Sequence, residues 1–260
     1  MKTLEKVIQS CISNGEKAFV PYIMAGDGGL NVLNERLLFL QELGVTAIEI
    51  GIPFSDPVAD GETIQQAGER ALANGTTLRK VLDTLADRSD KVTVPLVIMT
   101  YLNPVLAFGI KEFVERCVGV GVRGLIIPDL PMEESGMLGE ALVDVDVALI
   151  PLVSLTSPED RIAEIVSRAQ GFVYAVTVNG ITGVRNSYSE TLEAHLERLK
   201  KLSPVPVLAG FGISTSTQVV ELGAHTDGVI VGSAIVDAFH RDDLDLIAEL
   251  VQQATSHIIL

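Results

Sequence analysis

The segment TAIEIGIPFSDPVADG, residues 46–61, contains the sequence pattern from which the fold can be predicted. Its first residues form a short apolar run, which is typical of a parallel β-strand covered on both faces. The prolines, aspartates and glycines that follow indicate a long loop, because proline is excluded from helix interiors and inner strands. A helical pattern begins near Glu62. Strand, loop and helix therefore follow one another in this order.

The same order repeats along the whole chain. Apolar runs alternate with helical periodicity and predict eight strands, at residues 18–24, 46–51, 93–100, 124–128, 148–153, 171–177, 205–210 and 228–231. Residues 1–10 predict an amphipathic helix and not a signal peptide. We therefore predict an α/β fold, a single (β/α)₈ TIM barrel domain over residues 1–260 with an extra N-terminal helix. A doubly wound sheet fits less well, because no GxGxxG motif follows the first strand.

The composition excludes several classes of partner. The chain has 260 residues with 34 acidic and 19 basic side chains, a formal net charge of −15, which argues against nucleic acid and anionic membranes as partners. No run approaches the roughly 18 apolar residues of a membrane span. Cys11 and Cys117 are expected to be reduced thiols, which favours a cytoplasmic protein. The four histidines show no metal-ligand spacing, so no metal site is expected.

Glu49 stands inside an apolar strand, where a carboxylate is costly unless it is paired, hydrogen-bonded or neutral. A structural ion pair or an outward-facing strand end would explain it. A catalytic acid/base whose pKa is raised by burial is the interpretation we favour, because barrel enzymes use the carboxyl ends of their strands. Asp60, in the loop that follows, could face Glu49 across a ligand. Asp56 and Asp60 could equally form turns or cap the next helix.

Two glycine-containing turns follow the last two strands, at residues 210–214 and 232–234. Barrels commonly bind phosphate there, through backbone N–H groups and a helix N-terminus. Residues 177–188 form a candidate lid or an ordinary surface loop. The residues alone thus predict carboxylate acid/base chemistry on a phosphorylated compound. A sugar-phosphate isomerase or epimerase, and a non-catalytic subunit that binds ligand, remain alternatives.

The chain also resembles the tryptophan synthase alpha chain family along almost its whole length. The matching segments are PYIMAGD (21–27), IEIGIPFSDPVADG (48–61), IMTYLNP (98–104), IIPDLPMEES (126–135), GFVYAV (171–176), NGITG (179–183), AGFGIS (209–214) and DGVIVGSAIV (227–236). The resemblance implies a carbon–carbon/carbon–oxygen lyase of tryptophan biosynthesis. Such an enzyme splits indole-3-glycerol phosphate into indole and D-glyceraldehyde 3-phosphate by a retro-aldol reaction.

The same resemblance implies roles for individual residues. Glu49 would be the acid/base, Asp60 would accept a hydrogen bond from the indole N–H, and Tyr174 would lie near the reacting carbons. The implied phosphate pocket consists of Gly183, Phe211, Gly212, Gly232 and Ser233. The implied indole slot consists of Tyr22, Met99, Ile126 and Leu152. The sequence departs from the family pattern at Gly28, Glu62 and Thr177, none of which is a chemical group of the proposed reaction.

A partner is implied as well. Members of this family work with a pyridoxal-phosphate beta chain in an α₂β₂ heterotetramer, to which they pass indole for condensation with L-serine. The resemblance implies no cofactor in this chain. It places the partner contact at residues 51–61, 101–104 and 129–134. A stand-alone indole-glycerol-phosphate lyase and a non-catalytic activating subunit are the alternatives.

Overall fold

Strands and helices alternate along the chain. The structure, a computed structural model, describes residues 1–87, 91–154, 156–177 and 190–255. In these ranges the strands are β1 (Ala18–Met24), β2 (Ile48–Gly51), β3 (Leu96–Met99), β4 (Val122–Ile126), β5 (Ala148–Leu149), β6 (Leu152–Ser154), β7 (Val173–Val176), β8 (Val207–Gly210) and β9 (Gly228–Val231). The helices are α1 (Thr3–Ser13), α2 (Leu33–Glu42), α3 (Glu62–Ala73), α4 (Leu78–Ala86), α5 (Leu102–Phe108), α6 (Ile110–Gly119), α7 (Gly136–Leu142), α8 (Glu159–Ser167), α9 (Glu190–Leu202), α10 (Ser216–His225), α11 (Ser233–Arg241) and α12 (Leu244–Thr255). Short 3₁₀ turns at Leu30–Val32 and Met132–Glu134 precede α2 and α7.

The strands form one parallel sheet in the order β5-β4-β3-β2-β1-β9-β8-β7-β6. Its two end strands, β5 and β6, are separated in the chain only by Ile150 and Pro151. The N–H of Ile150 donates to the carbonyl of Leu125 at 2.9 Å, and the N–H of Tyr174 donates to the carbonyl of Pro151 at 3.0 Å. The sheet therefore closes on itself, with β5 and β6 as two halves of one barrel position.

The predicted (β/α)₈ barrel is confirmed, and so is its extra N-terminal helix, α1. Strands β1 and β9 have the predicted bounds, whereas the fourth strand begins and ends two residues earlier than predicted. The predicted fifth strand is interrupted at Pro151, which has no N–H to donate to a ladder. The single domain over residues 1–260 stays a prediction.

The apolar side chains form an outer and an inner layer. The outer layer lies between strands and helices and includes Phe19, Ile48 and Ile50. The inner layer fills the barrel and includes Ala47, Tyr22 and, from α1, Leu4 and Ile8. Side chains alternate between the two faces of a strand, so position 49 of β2 faces the barrel interior.

Two further predictions concern single features. Both cysteines are free thiols; Cys117 is buried and Cys11 is partly buried. Among the described residues, no helix is both long enough and apolar enough to span a bilayer.

Candidate active site

Glu49 lies on the inner face of β2, beside Tyr22 of β1 and Val97 of β3. It is 1% exposed, and neither carboxyl oxygen has a hydrogen-bond partner among the described residues. Burial raises the pKa of Glu49 to about 8, and the negative charge of Asp60 adds to the shift. The carboxyl group is therefore mainly protonated at neutral pH and can act as a proton donor. The alternative of an outward-facing strand end is wrong.

Asp60 lies at the end of the loop between β2 and α3 and points toward the same cavity. Burial raises its pKa to about 6, and a hydrogen bond from Tyr101 opposes that rise. Asp60 is thus mainly ionised at neutral pH, where Glu49 is mainly protonated. The capping alternative is wrong for this residue, because the N-cap of α3 is Gly61 and has no side-chain cap. Asp56 takes part in a turn, with its carbonyl accepting from the N–H of Val58 at 3.0 Å.

Tyr101 holds this loop in place at two points. Its hydroxyl accepts a hydrogen bond from the N–H of Ala59 at 3.0 Å, next to the hydroxyl's bond with Asp60. Its ring stacks on Phe54, with the two ring centroids 5.0 Å apart. The sequence predicted Tyr101 only in a partner contact, and its place beside Asp60 was not predicted. The rule that function collects after barrel strands could have found it, because Tyr101 follows β3 by two residues.

The two glycine turns provide the opposite side of the cavity. Phe211 and Gly212 both have positive φ angles, 68° and 75°. The hydroxyl of Thr177 lies 2.8 Å from the carbonyl oxygen of Gly210 and 2.6 Å from that of Phe211, and it donates to them. In the second turn, α11 begins at Ser233 after an N-cap without a side-chain bond. The first N–H groups of this helix are therefore available for an anion.

These groups surround one cavity of about 390 Å³ at the carboxyl end of the barrel, a volume within the usual range for small-molecule sites. It is lined by Tyr22, Glu49, Ala59, Asp60, Gly61, Ile64, Met99, Tyr174, Phe211, Gly212, Gly232 and Ser233. Nine of the twelve predicted site residues thus meet here.

The other three predicted residues are not in the lining of this cavity. Ile126 is fully buried within the inner apolar layer. Leu152 lines a separate cavity of about 520 Å³ beside α7 and α8. Gly183 lies outside the described residues, as does most of the predicted lid, 177–188. Because β6 follows the break at Pro151, its side-chain positions could not be read from a continuous strand.

The family model of the tryptophan synthase alpha chain matches residues 8–258. The chain belongs to this family. A tryptophan synthase alpha chain of Bacillus cereus is 52% identical over 244 residues, which cover 94% of this chain and 95% of that relative.

Solved structures of the family have the same fold. Tryptophan synthase of Mycobacterium tuberculosis superposes with a TM-score of 0.88 at 33% identity, covering 98% of both chains. The tryptophan synthase alpha chain of Legionella pneumophila superposes with a TM-score of 0.86 at 30% identity, covering 98% of this chain and 97% of the other. The predictions of the family, the barrel fold and a lyase of tryptophan biosynthesis are confirmed.

Proposed function

We propose that the cavity at the mouth of the barrel binds indole-3-glycerol phosphate and that Glu49 and Asp60 cleave it to indole and D-glyceraldehyde 3-phosphate. The observation that carries this assignment is that one cavity contains Glu49, buried and without a hydrogen-bond partner among the described residues, and a second carboxyl group, Asp60. Two carboxyl groups whose pKa values are pushed apart by their surroundings are suited to separate roles as acid and as charge stabiliser.

Glu49 begins the reaction as a general acid. Its proton passes to C3 of the indole ring, and the ring becomes positively charged. The resulting Glu49 carboxylate then removes the proton of the glycerol hydroxyl next to the ring. The bond between C3 and the glycerol carbon breaks, its electron pair restores the aromatic ring, and the aldehyde forms. Glu49 ends the cycle protonated, and general acid–base help of this kind contributes about 10²–10⁴ in rate.

Asp60 stabilises the cation that forms in the first step. Its carboxylate accepts the hydrogen bond of the indole N–H, where positive charge develops. The hydroxyl of Tyr101 supports this role, because its hydrogen bond favours the ionised form of Asp60. Tyr174 stays protonated, since burial raises its pKa well above the ordinary value, and it lies beside the reacting carbons.

The phosphate group occupies the opposite side, at Phe211, Gly212, Gly232 and Ser233. Backbone N–H groups there attract an anion although the chain carries a net charge of −15. Gly183 belongs to the proposal on the family resemblance alone. Tyr22 and Met99 provide apolar wall for the indole ring, and the family resemblance adds Ile126 and Leu152.

We further propose that the chain works with a pyridoxal-phosphate beta chain in an α₂β₂ heterotetramer and holds no cofactor itself. Contacts between the three predicted interface segments support the proposed binding of a partner chain. The hydroxyl of Tyr101 bonds to the loop 51–61, and the carboxylate of Asp129 accepts from the N–H of Leu102 at 2.8 Å. The segments therefore form a connected patch, through which a partner could influence Asp60.

One assay tests these proposals. The pure chain is incubated with indole-3-glycerol phosphate, and indole is measured with and without a tryptophan synthase beta chain. We expect slow release alone and faster release with the partner. No indole in either case overturns the lyase, and equally fast release in both overturns the partner dependence. Condensation of added indole with L-serine by the beta chain, stimulated by an alpha chain that forms no indole, would indicate a non-catalytic activating subunit.

A further inference from the structure

Gly51 ends β2 two residues after Glu49, on the face of the strand that points into the barrel. Its φ angle is one that ordinary residues adopt, so its own backbone does not require glycine. A Cβ atom added to Gly51 would lie 1.8 Å from the hydroxyl oxygen of Tyr22, 2.3 Å from Cζ and 2.8 Å from Cε2. The tip of Tyr22 therefore occupies the space that a side chain at position 51 would need.

Tyr22 lies along one wall of the cavity. It is paired in register with Glu49, is 6% exposed and lines the cavity. At its other end, a Cβ atom added to Gly232 would lie 3.7 Å from Cβ and 3.9 Å from Cδ1 of Tyr22. The side chain thus extends from the turn after β9 to the end of β2, between the phosphate side and the two carboxyl groups.

We propose that Gly51 is a positioning residue that sets the specificity of the cavity for its aromatic ligand. The absence of a side chain at position 51 leaves room for the Tyr22 hydroxyl against the end of β2, and we call this space the seat. This inference deepens the proposed function and rests on it. A larger residue at 51 would push the tip of Tyr22 away from β2. Because Tyr22 lines the cavity, the displaced ring would move into the space of the indole group.

The seat at Gly51 also keeps the neutral hydroxyl of Tyr22 near Glu49 and Asp60. Burial raises the pKa of Tyr22 well above its ordinary value, and the charges of Asp60 and Glu49 add to the shift. The hydroxyl therefore stays protonated and adds no charge next to these residues. Gly51 thus acts through the position of Tyr22 and not through chemistry of its own.

The test is a double-mutant cycle of Gly51→Ala and Tyr22→Leu, with kcat/KM for indole-3-glycerol phosphate as the readout. We expect Gly51→Ala to lower kcat/KM at least about tenfold when Tyr22 is present and less than about threefold in the Tyr22→Leu background, since residues in contact couple strongly. An equal loss in both backgrounds overturns the proposal. Gly119→Ala is the control, because an added Cβ there has no atom within 4 Å.

A binding measurement separates a moved ring from a general distortion of the site. In the folded Gly51→Ala variant, affinity for indole should fall at least about tenfold, while affinity for inorganic phosphate changes less than about threefold. Equal losses of both would overturn the proposal.

A second variant keeps the proposal testable if Gly51→Ala does not fold. Tyr22→Phe removes only the hydroxyl and empties the seat. Binding of at least one ring-substituted methylindole should then improve at least about threefold relative to indole. If no methylindole binds better relative to indole, the proposed role of Gly51 is overturned. If the unmodified chain releases no indole from indole-3-glycerol phosphate, the proposed function fails. The ratio of methylindole affinity to indole affinity in Tyr22→Phe still tests the role of Gly51 separately.

Discussion

Two buried carboxyl groups near the mouth of the barrel, Asp27 and Glu49, differ in their hydrogen-bond partners. Asp27, in the turn after β1, is 4% exposed, and its two carboxylate oxygens accept hydrogen bonds from Arg70 of α3 at 2.7 and 2.8 Å. Its backbone carbonyl accepts a third bond, from Arg36, at 2.7 Å. Glu49 is 1% exposed and has no hydrogen-bond partner among the described residues.

The difference in hydrogen-bond partners indicates a different role for each carboxyl group. A buried carboxyl group is stabilised by charged hydrogen bonds, and Arg70 donates two of them to Asp27, which ties the turn after β1 to α3. Without such a partner, burial keeps Glu49 neutral at the cost of stability at higher pH. The same barrel mouth thus contains a carboxyl group bound to an arginine and, at Glu49, one without a hydrogen-bond partner among the described residues, which we propose as the acid of the reaction.

The strongest challenge to this comparison is to remove the unpartnered acid. We expect Glu49→Gln to lower kcat by about 10²–10⁴, because the amide has no proton to give to the indole ring. Steady-state indole release measures the loss, and circular dichroism verifies the fold. A variant with full activity would show that Glu49 is not the acid.

The second prediction concerns stability and pH. The pKa of Glu49 is about 8 in the folded chain and near 4.5 when unfolded, so the folded state holds the extra proton between these values. The unfolding free energy should therefore fall as pH rises through this window, and most of the loss should be present by pH 8. Relative to Glu49→Gln, we expect the chain to lose about 3–4 kcal/mol between pH 5 and pH 8.

Urea unfolding of both proteins at several pH values measures that difference. The Gln variant keeps every other titrating group, so subtracting its curve isolates Glu49. Parallel curves for the two proteins would mean that residue 49 does not titrate in this range.

The third prediction concerns the loss of the ion pair between Asp27 and Arg70. We expect Asp27→Asn to lower the unfolding free energy by about 1–3 kcal/mol, because charged hydrogen bonds to Arg70 are lost. The effect is held to this range because the Arg70 side chain is 33% exposed and water can solvate its charge. Activity should fall far less than in Glu49→Gln. Thermal unfolding measures the change, and a loss of catalysis as large as that of Glu49→Gln would contradict the structural role.

Glu112→Gln is the matched control for Asp27→Asn. Glu112 pairs with Arg79 at 3.0 Å, but both side chains are more than half exposed. Exposed pairs contribute little, so we expect no measurable change in stability.

The smallest expected effect concerns Asp60, which is intermediate between Asp27 and Glu49 in its partners. Asp60 is partly buried and has one hydroxyl partner, Tyr101, whose hydrogen bond lowers its pKa. Tyr101→Phe should raise that pKa and move the acid limb of the kcat/KM profile from near pH 6 upward by less than about one unit. The alkaline limb near pH 8, which follows Glu49, should stay in place. An unchanged acid limb would mean that Tyr101 does not lower the pKa of Asp60.

Much of the site could be predicted because strand periodicity is a local property. Glu49 in an apolar run indicated a buried acid, and alternation along β2 aims it into the barrel. The turns after β8 and β9 were predicted because all parallel strands of a barrel end on the same side. Leu152 and Ile126 did not reach the cavity lining, since the break at Pro151 and the depth of a residue along a strand depend on neighbouring strands.

Local sequence patterns predicted the order of strands and helices, the end of the barrel with the candidate site and Glu49 as its candidate acid, while the role of Asp60 came from the family resemblance. Which carboxyl groups have partners depends on the tertiary structure. Asp27 meets Arg70 across 43 residues, and the hydroxyl of Tyr101 accepts from the N–H of Ala59, next to Asp60. It also decided that Tyr22 rests on Gly51. Periodicity acts over a few residues, whereas such contacts depend on how distant segments register and pack, and these determine whether a buried carboxyl is ionised or neutral.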